Sequence, residues 1–239
     1  MEASQFLERF RLLSREIQIS LQITEKKIDS AKLNPTLESI ESINDQIKIV
    51  NENWSDFSGW VLISTLENVD EARRNSVSGL IDIKSKIIRS KKRAISQADQ
   101  HGVKIDIKNA EECQVNTYIA YFEQFLDLIF LNAVKYSPRG YSVDVSSKWK
   151  NGTVNLLIES IGPLILKHEM NSLGNKGFRA ENAIKTNKPG DGFGLSNVLK
   201  LAQLLDCDVN FTSTNRSLFE VNGIPYSDFS VSISLNSNN

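Results

Sequence analysis

Pro189-Gly190-Asp191-Gly192-Phe193-Gly194-Leu195-Ser196 is the stretch on which the reading of this 239-residue chain turns. Glycine recurs at every second position, at 190, 192 and 194, and an apolar helical pattern follows from about Ser196. Glycine lets backbone amides approach a ligand with no Cβ in the way. A helix starting directly afterwards offers unpaired amides and the positive end of its dipole, which together suit phosphate. The same glycines also suit a flexible surface turn, so the stretch gains meaning only from its surroundings.

Upstream, Phe130-Leu-Asn-Ala-Val-Lys-Tyr-Ser-Pro138 closes a helical pattern spanning 116–136. Asn132, Lys135 and Tyr136 stand three and four residues apart, which places them on one helix face. An amide oxygen for Mg²⁺, an ammonium for phosphate and an aromatic ring for a base then share one surface. The plainer alternative is a helix end with Lys135 and Tyr136 in solvent and Pro138 as the stop.

The remainder of this half is mixed. Val103–Ile107 and Tyr141–Val145 alternate with the period of strands. Asn151-Gly152 sits between two strand-like runs, a hairpin signal because both residues tolerate positive φ. Val209–Thr212 and Phe229–Leu235 also read as strands. The order strand, helix, hairpin, loop, helix, two strands predicts an α+β sandwich, with helices on one face of a mixed sheet.

The first hundred residues differ. Before His101 the only punctuating residues are Gly59, Gly79 and Pro35, whereas ten glycines and four prolines follow it. Long helices are therefore expected over 1–100 and a compact mixed domain over 101–239. Phe6, Phe10, Leu13, Ile17, Leu21 and Ile28 form one stripe, and Leu37, Ile40, Ile43, Ile47 and Val50 another. Asn34 is the expected cap of the second helix, with Pro35 in its first turn. A third helix is expected through Trp60–Ile63, and a fourth through Leu80, Ile83, Ile87 and Ala94. Such helices predict a bundle, or half of one completed by a second copy. Basic residues of the fourth helix, Lys84 to Arg93, suit either a solvated face or a docking surface.

Composition narrows the class. Charged residues at 24% and hydrophobic ones at 40% describe an ordinary globular chain. A formal net charge of −1 supplies no field for nucleic acid or anionic membrane, which argues against both as partners. No run approaches the roughly 20 apolar residues of a membrane span. No signal-peptide pattern opens the chain, and Cys113 and Cys207 read as reduced core residues, so a cytoplasmic location is expected.

Asn132-Ala-Val-Lys-Tyr-Ser-Pro138, Ile161-Gly-Pro-Leu-Ile165, Lys176-Gly-Phe-Arg-Ala180 and Gly190-Asp-Gly-Phe-Gly-Leu195 occur in that order. Taken together they resemble the ATP-binding domain of sensor histidine kinases, within the wider gyrase and histidine-kinase ATPase group. The resemblance covers about residues 101–239, and the helices before it take the place of that family's dimerisation and phosphoacceptor hairpin. It implies a two-layer sandwich that binds ATP with Mg²⁺, in a protein that signals as a homodimer through its N-terminal helices. Asn132 would hold Mg²⁺, Lys135 would contact phosphate and Tyr136 would lie beside the nucleotide. Ser160 and Gly162 would line the adenine pocket. Phe178 and Arg179 would belong to a lid over 166–189, closed by Gly190, Gly192 and Gly194 with Leu195 behind them.

Three departures qualify the expected chemistry. The adenine box of the family opens with Asp, and Ser160 stands there, so a charge-assisted hydrogen bond is replaced by a neutral one. Four residues before Asn132 the family usually has a polar side chain, and this chain has Leu128. Asp127 next to it points about 100° away around the helix. No histidine precedes His101, and neither His101 nor His168 has the setting of a phosphoacceptor. Phosphate transfer to a partner protein is therefore expected rather than autophosphorylation. The alternatives are a non-catalytic, ATP-gated interaction module and a kinase acting on Ser, Thr or His of a partner.

Overall fold

The computed structural model describes residues 3–64, 66, 69–188, 190 and 192–236. It divides into two compact units, 1–67 and 68–239.

The first unit is a helical hairpin of α1 (Ala3–Leu33) and α2 (Leu37–Ser64). Thr36, not Asn34, caps α2. The Ser39 amide donates to Thr36 Oγ1 at 3.1 Å, and the Thr36 amide donates back to Ser39 Oγ at 3.0 Å. This reciprocal pair satisfies two amides that the helix start leaves open. The third expected helix is part of α2, because nothing between Val50 and Trp60 breaks it: the one glycine there, Gly59, costs only about 1 kcal/mol in a helix.

Leu13, Ser20, Thr24 and Gln46 are buried, and Asn53 Nδ2 donates to Ser20 Oγ at 2.8 Å across the hairpin. Phe10 and Phe57 meet edge to face with centroids 5.4 Å apart. Most of the two predicted stripes is left open: Leu21, Ile40 and Ile47 are each more than 40% exposed. A two-helix hairpin has room to bury only one narrow seam, so the rest of each apolar stripe has no partner within the unit.

The second unit is α+β. Its sheet runs β2 (Lys104–Ala110), β4 (Ser142–Lys150), β5 (Thr153–Pro163), β8 (Ile224–Asn236), β6 (Cys207–Ser213), with β7 (Phe219–Val221) on the first residues of β8. Among the described residues only β2 and β4 are parallel, joined by a crossover that includes a helix; the other pairs are antiparallel. Asn151 and Gly152 both have positive φ, 51° and 76°, and make the expected two-residue turn between β4 and β5. Alternate residues of the central strands, such as Val154, Leu156 and Ile158, are buried on one face. That face is covered by α5 (Ile119–Tyr136) and α7 (Gly194–Leu205).

In chain order α3 (Val69–Arg74), β1 (Ser78–Asp82) and α4 (Ile83–His101) open the second unit. The units divide between Glu67 and Asn68, not at residue 100. The reason is packing: α4 buries Ile83, Ile87, Ala94 and Ala98 beside α5 instead of joining a bundle. Leu80 belongs to β1, which pairs with β3 (Gln114–Tyr118) and so delays the start of the following helix to Ile119. Asp82 caps α4, accepting from the Ser85 amide at 2.7 Å, and Gly102 ends it at φ 64°. The basic face of α4 is partly used internally. Lys86 pairs with Glu123, and Arg93 Nε meets Asp127 at 2.6 Å. Burial pushes the Asp127 carboxyl up despite Arg93.

Phe122, Phe125 and Phe130 of α5 are fully buried. Phe125→Ala is expected to cost about 3–5 kcal/mol. Urea unfolding followed by circular dichroism, with an unchanged slope, is the check.

Candidate functional site

The last turn of α5 presents Asn132, Lys135 and Tyr136, held by the packing of Ala133 and Val134 on the opposite side. The far end of β5 presents Ser160 and Gly162. The segment after β5 brings Phe178 and Arg179, and the start of α7 brings Gly194 and Leu195. With Gly190 and Gly192, all eleven residues singled out in the sequence line one cavity of about 220 Å³. Pro189 and Asp191 lie outside the described residues.

Asn132 stands at the meeting of the two helices. A Cβ built on Gly194 would lie 3.8 Å from Asn132 Oδ1, so this amide faces the first turn of α7. The residue before α7, Phe193, gives that turn no side-chain cap. Amides at the helix start are thus left to bond whatever enters the cavity. Lys135 Nζ lies 5.1 Å from the Tyr136 ring centroid and against Gly190.

Gly192 is required by closeness. At φ 74°, a Cβ there would fall 2.6 Å from the Gly177 carbonyl carbon and 2.8 Å from Phe178 O. The Gly177 amide also donates to Gly192 O at 3.2 Å, which ties the two loops together.

The loop from 164 to 190 is organised by buried polar groups. Glu169 accepts from the Leu166 amide at 2.8 Å and from the Glu181 amide at 2.7 Å. Asn182, at the start of α6 (Glu181–Lys185), donates to Leu164 O at 2.8 Å. Arg179 donates to Gly190 O at 3.0 Å, Lys188 O at 2.8 Å and Ala183 O at 3.3 Å. Its guanidinium therefore holds the loop's exit as well as lining the cavity. Lys188 in turn donates to Lys135 O at the end of α5, and at 3.5 Å to Ser137 O. Burial, then the neighbouring Lys135, pushes the Lys188 ammonium down from its ordinary value.

Several wall residues were not singled out by the sequence. Phe229 is the cross-strand partner of Ser160, a pairing that only the β5–β8 register reveals. Leu173 is a loop position and Ala183 lies in α6, both outside any motif, and Phe193 stands between the glycines of the motif, which drew the attention instead. Ser160 is 9% exposed and inside the cavity. Leu128, Asp127, His101 and His168 are not among its lining residues. Among the described residues no group of three or more His, Cys, Asp or Glu side chains is placed to hold a metal ion. A cation here would depend on the Asn132 oxygen and on oxygens of a bound ligand, which fits Mg²⁺ shared with phosphates. No described helix is long and apolar enough to cross a membrane.

No family model matches the chain, and no curated protein does. Solved structures do. A mycobacterial sensor histidine kinase, MprB, is similar at 21% identity and a TM-score of 0.54, over 68% of this chain and 99% of its own. The histidine kinase AdeS of Acinetobacter baumannii is similar at 19% identity and 0.52, over 94% of this chain and 98% of its own. The full-length histidine kinase ShkA, solved in complex with AMPPNP, is similar at 15% and 0.57, over 97% of this chain and 47% of its own. With its helical hairpin, mixed sheet and flanking helices in this order, the chain has the fold of the histidine-kinase catalytic region.

Proposed function

We propose that the chain binds ATP with Mg²⁺ in the 220 Å³ cavity and works as a histidine-kinase-like signalling protein. The observation that carries this reading is convergence: four sequence segments, chosen for phosphate, metal and base chemistry, meet around one cavity. Asn132 holds Mg²⁺ against the phosphates. Lys135 and the uncapped start of α7, reached through Gly190, Gly192, Gly194 and Leu195, neutralise phosphate charge. Tyr136, Ser160 and Gly162 border the base. Phe178 and Arg179 order the lid.

Any phosphate transfer goes to a partner protein. No histidine occurs in the hairpin sequence, and neither His101 nor His168 lines the cavity. Phosphoryl transfer rests mainly on positioning and charge neutralisation, which these residues supply without a polar side chain at 128. A second reading, an ATP-gated interaction module without transfer, draws its support from Leu128 and Ser160. The open stripes of α1 and α2 support a homodimer in which two hairpins complete one bundle. The free cysteines suit a reducing, cytoplasmic setting.

Calorimetry with ATP and Mg²⁺ tests the binding. Asn132→Ala should weaken it tenfold or more, about 1.4 kcal/mol, and remove its metal dependence. No heat at millimolar ATP on the unaltered chain would refute the proposal. Gly192→Ala should also weaken binding, while leaving the melting curve of the sheet in place, because its Cβ drives the two loops apart. Light scattering should give twice 26.9 kDa for the chain and a monomer for the double variant Leu21→Glu, Ile40→Glu.

A further inference from the structure

A second cleft, of about 340 Å³, lies beside the cavity and shares none of its lining residues. The end of α4, the turn after α5, the exit of the lid and the turn between β7 and β8 wall it. Three of these segments each bring a basic side chain: His101, Arg139 and Lys188. None of its described lining residues is acidic.

Two of the three are held in place. The Gly140 amide donates to Gly102 O at 2.8 Å, which locks the turn carrying Arg139 against the end of α4. Arg139 packs so closely there that a Cβ on Gly102 would lie 2.8 Å from its Cγ and 3.2 Å from its Nε. Lys188 is fixed by the carbonyls of Lys135 and Ser137. Those carbonyls, at the negative end of α5, offset the charge of Lys188. His101 and Arg139 have no such relief: among the described residues their side chains make no hydrogen bond or ion pair. Burial, then Lys188 and then Lys135, pushes the His101 imidazole down. Like charges gathered without a counter-charge are unfavourable, and an anion in the cleft relieves them.

Neutral donors surround the same space. Gln100 and Asn222 bring amides, and Tyr226 brings a phenol that burial keeps protonated. The Tyr226 ring is fixed by stacking on Phe219, with centroids 5.9 Å apart, and Phe219 stacks on Tyr141 at 4.9 Å.

We propose that this cleft is a second ligand site, separate from the nucleotide cavity, for a phosphate-class anion held by Arg139, protonated His101 and Lys188. Arg139 offers a planar fork that matches two phosphate oxygens. For an anion of fixed charge, binding strengthens as the pH falls through the His101 midpoint, because the anion favours imidazolium. The charged and titratable groups facing His101 are Lys188, Lys135, Arg139 and Tyr226, none of them a second imidazole, the side chain whose charge switches most readily. The site does not depend on the nucleotide reading. It does touch the lid, since Lys188 O accepts from Arg179.

The chain has two histidines, so proton NMR resolves His101 with His168 as an internal control. Titrations use inorganic phosphate in one arm and phosphoserine in the other, against chloride at equal ionic strength. The expected result is a saturable rise of the His101 midpoint by about half a unit or more, with His168 unmoved. In Arg139→Ala the phosphate affinity should fall at least tenfold. A response to both anions identifies a phosphomonoester site, and a response to phosphate alone a free-anion site. The proposal is overturned if His101 is unmoved at about 20 mM phosphate, a concentration that would reveal any Kd in the low-millimolar range. It is equally overturned if chloride matches the effect, or if Arg139→Ala responds like the unaltered chain, as it would were phosphate bound only in the larger cavity.

Discussion

Everything in the second unit leans on α5. Its inner face carries Phe122, Phe125, Leu126, Ile129 and Phe130, all buried, against the sheet and α7. Its last turn carries Asn132, Lys135 and Tyr136 into the cavity. One helix is thus both the main apolar plug of the core and the rigid mount of the site. Burial of a large apolar side chain stabilises by about 1.5–3 kcal/mol, so the mount is fixed by a sum no single loop contact approaches. The carbonyls at its C-terminal end then serve as the anchor for Lys188, which brings the end of the following loop to the same place.

The loop from 164 to 190 is assembled by a different kind of force. Its apolar content is small, and its shape is set by Glu169, Asn182 and Arg179, each bonded to backbone groups. Buried polar groups of this sort contribute modestly when satisfied and cost several times more when one partner is missing. They therefore specify one arrangement more than they stabilise it. Arg179 illustrates this, since its Nε is buried with no partner while its terminal nitrogens hold three carbonyls.

Local pattern revealed the pieces of this architecture that depend on local pattern. The Asn151-Gly152 turn, the strands on either side and the helix face of Asn132 were legible because they follow from two-residue and four-residue periods. The grouping of the site residues was legible through the order of their motifs. What escaped was set by tertiary packing. The stripe of α4 has the period of any amphipathic helix, and nothing in it says whether it faces a bundle or α5. Strands β1 and β3 are five residues each and pair across a long sequence gap, so their alternation stood out too little from the helix that follows. Phe229 enters the cavity through strand register, and Glu169 and Asn182 act through backbone atoms that carry no sequence signal.

Pinning of the loop from 164 to 190 at both ends bears on how fast it can move. Glu169 fastens the entry, Gly177 is tied to Gly192, and Arg179 with Lys188 fastens the exit, so the stretch free to rearrange as one piece is about residues 170–176. A loop of that length moves on the nanosecond-to-microsecond scale, far faster than a hinged domain. Exchange of a ligand beneath it would then be limited by the ligand's own contacts, not by the opening of the protein.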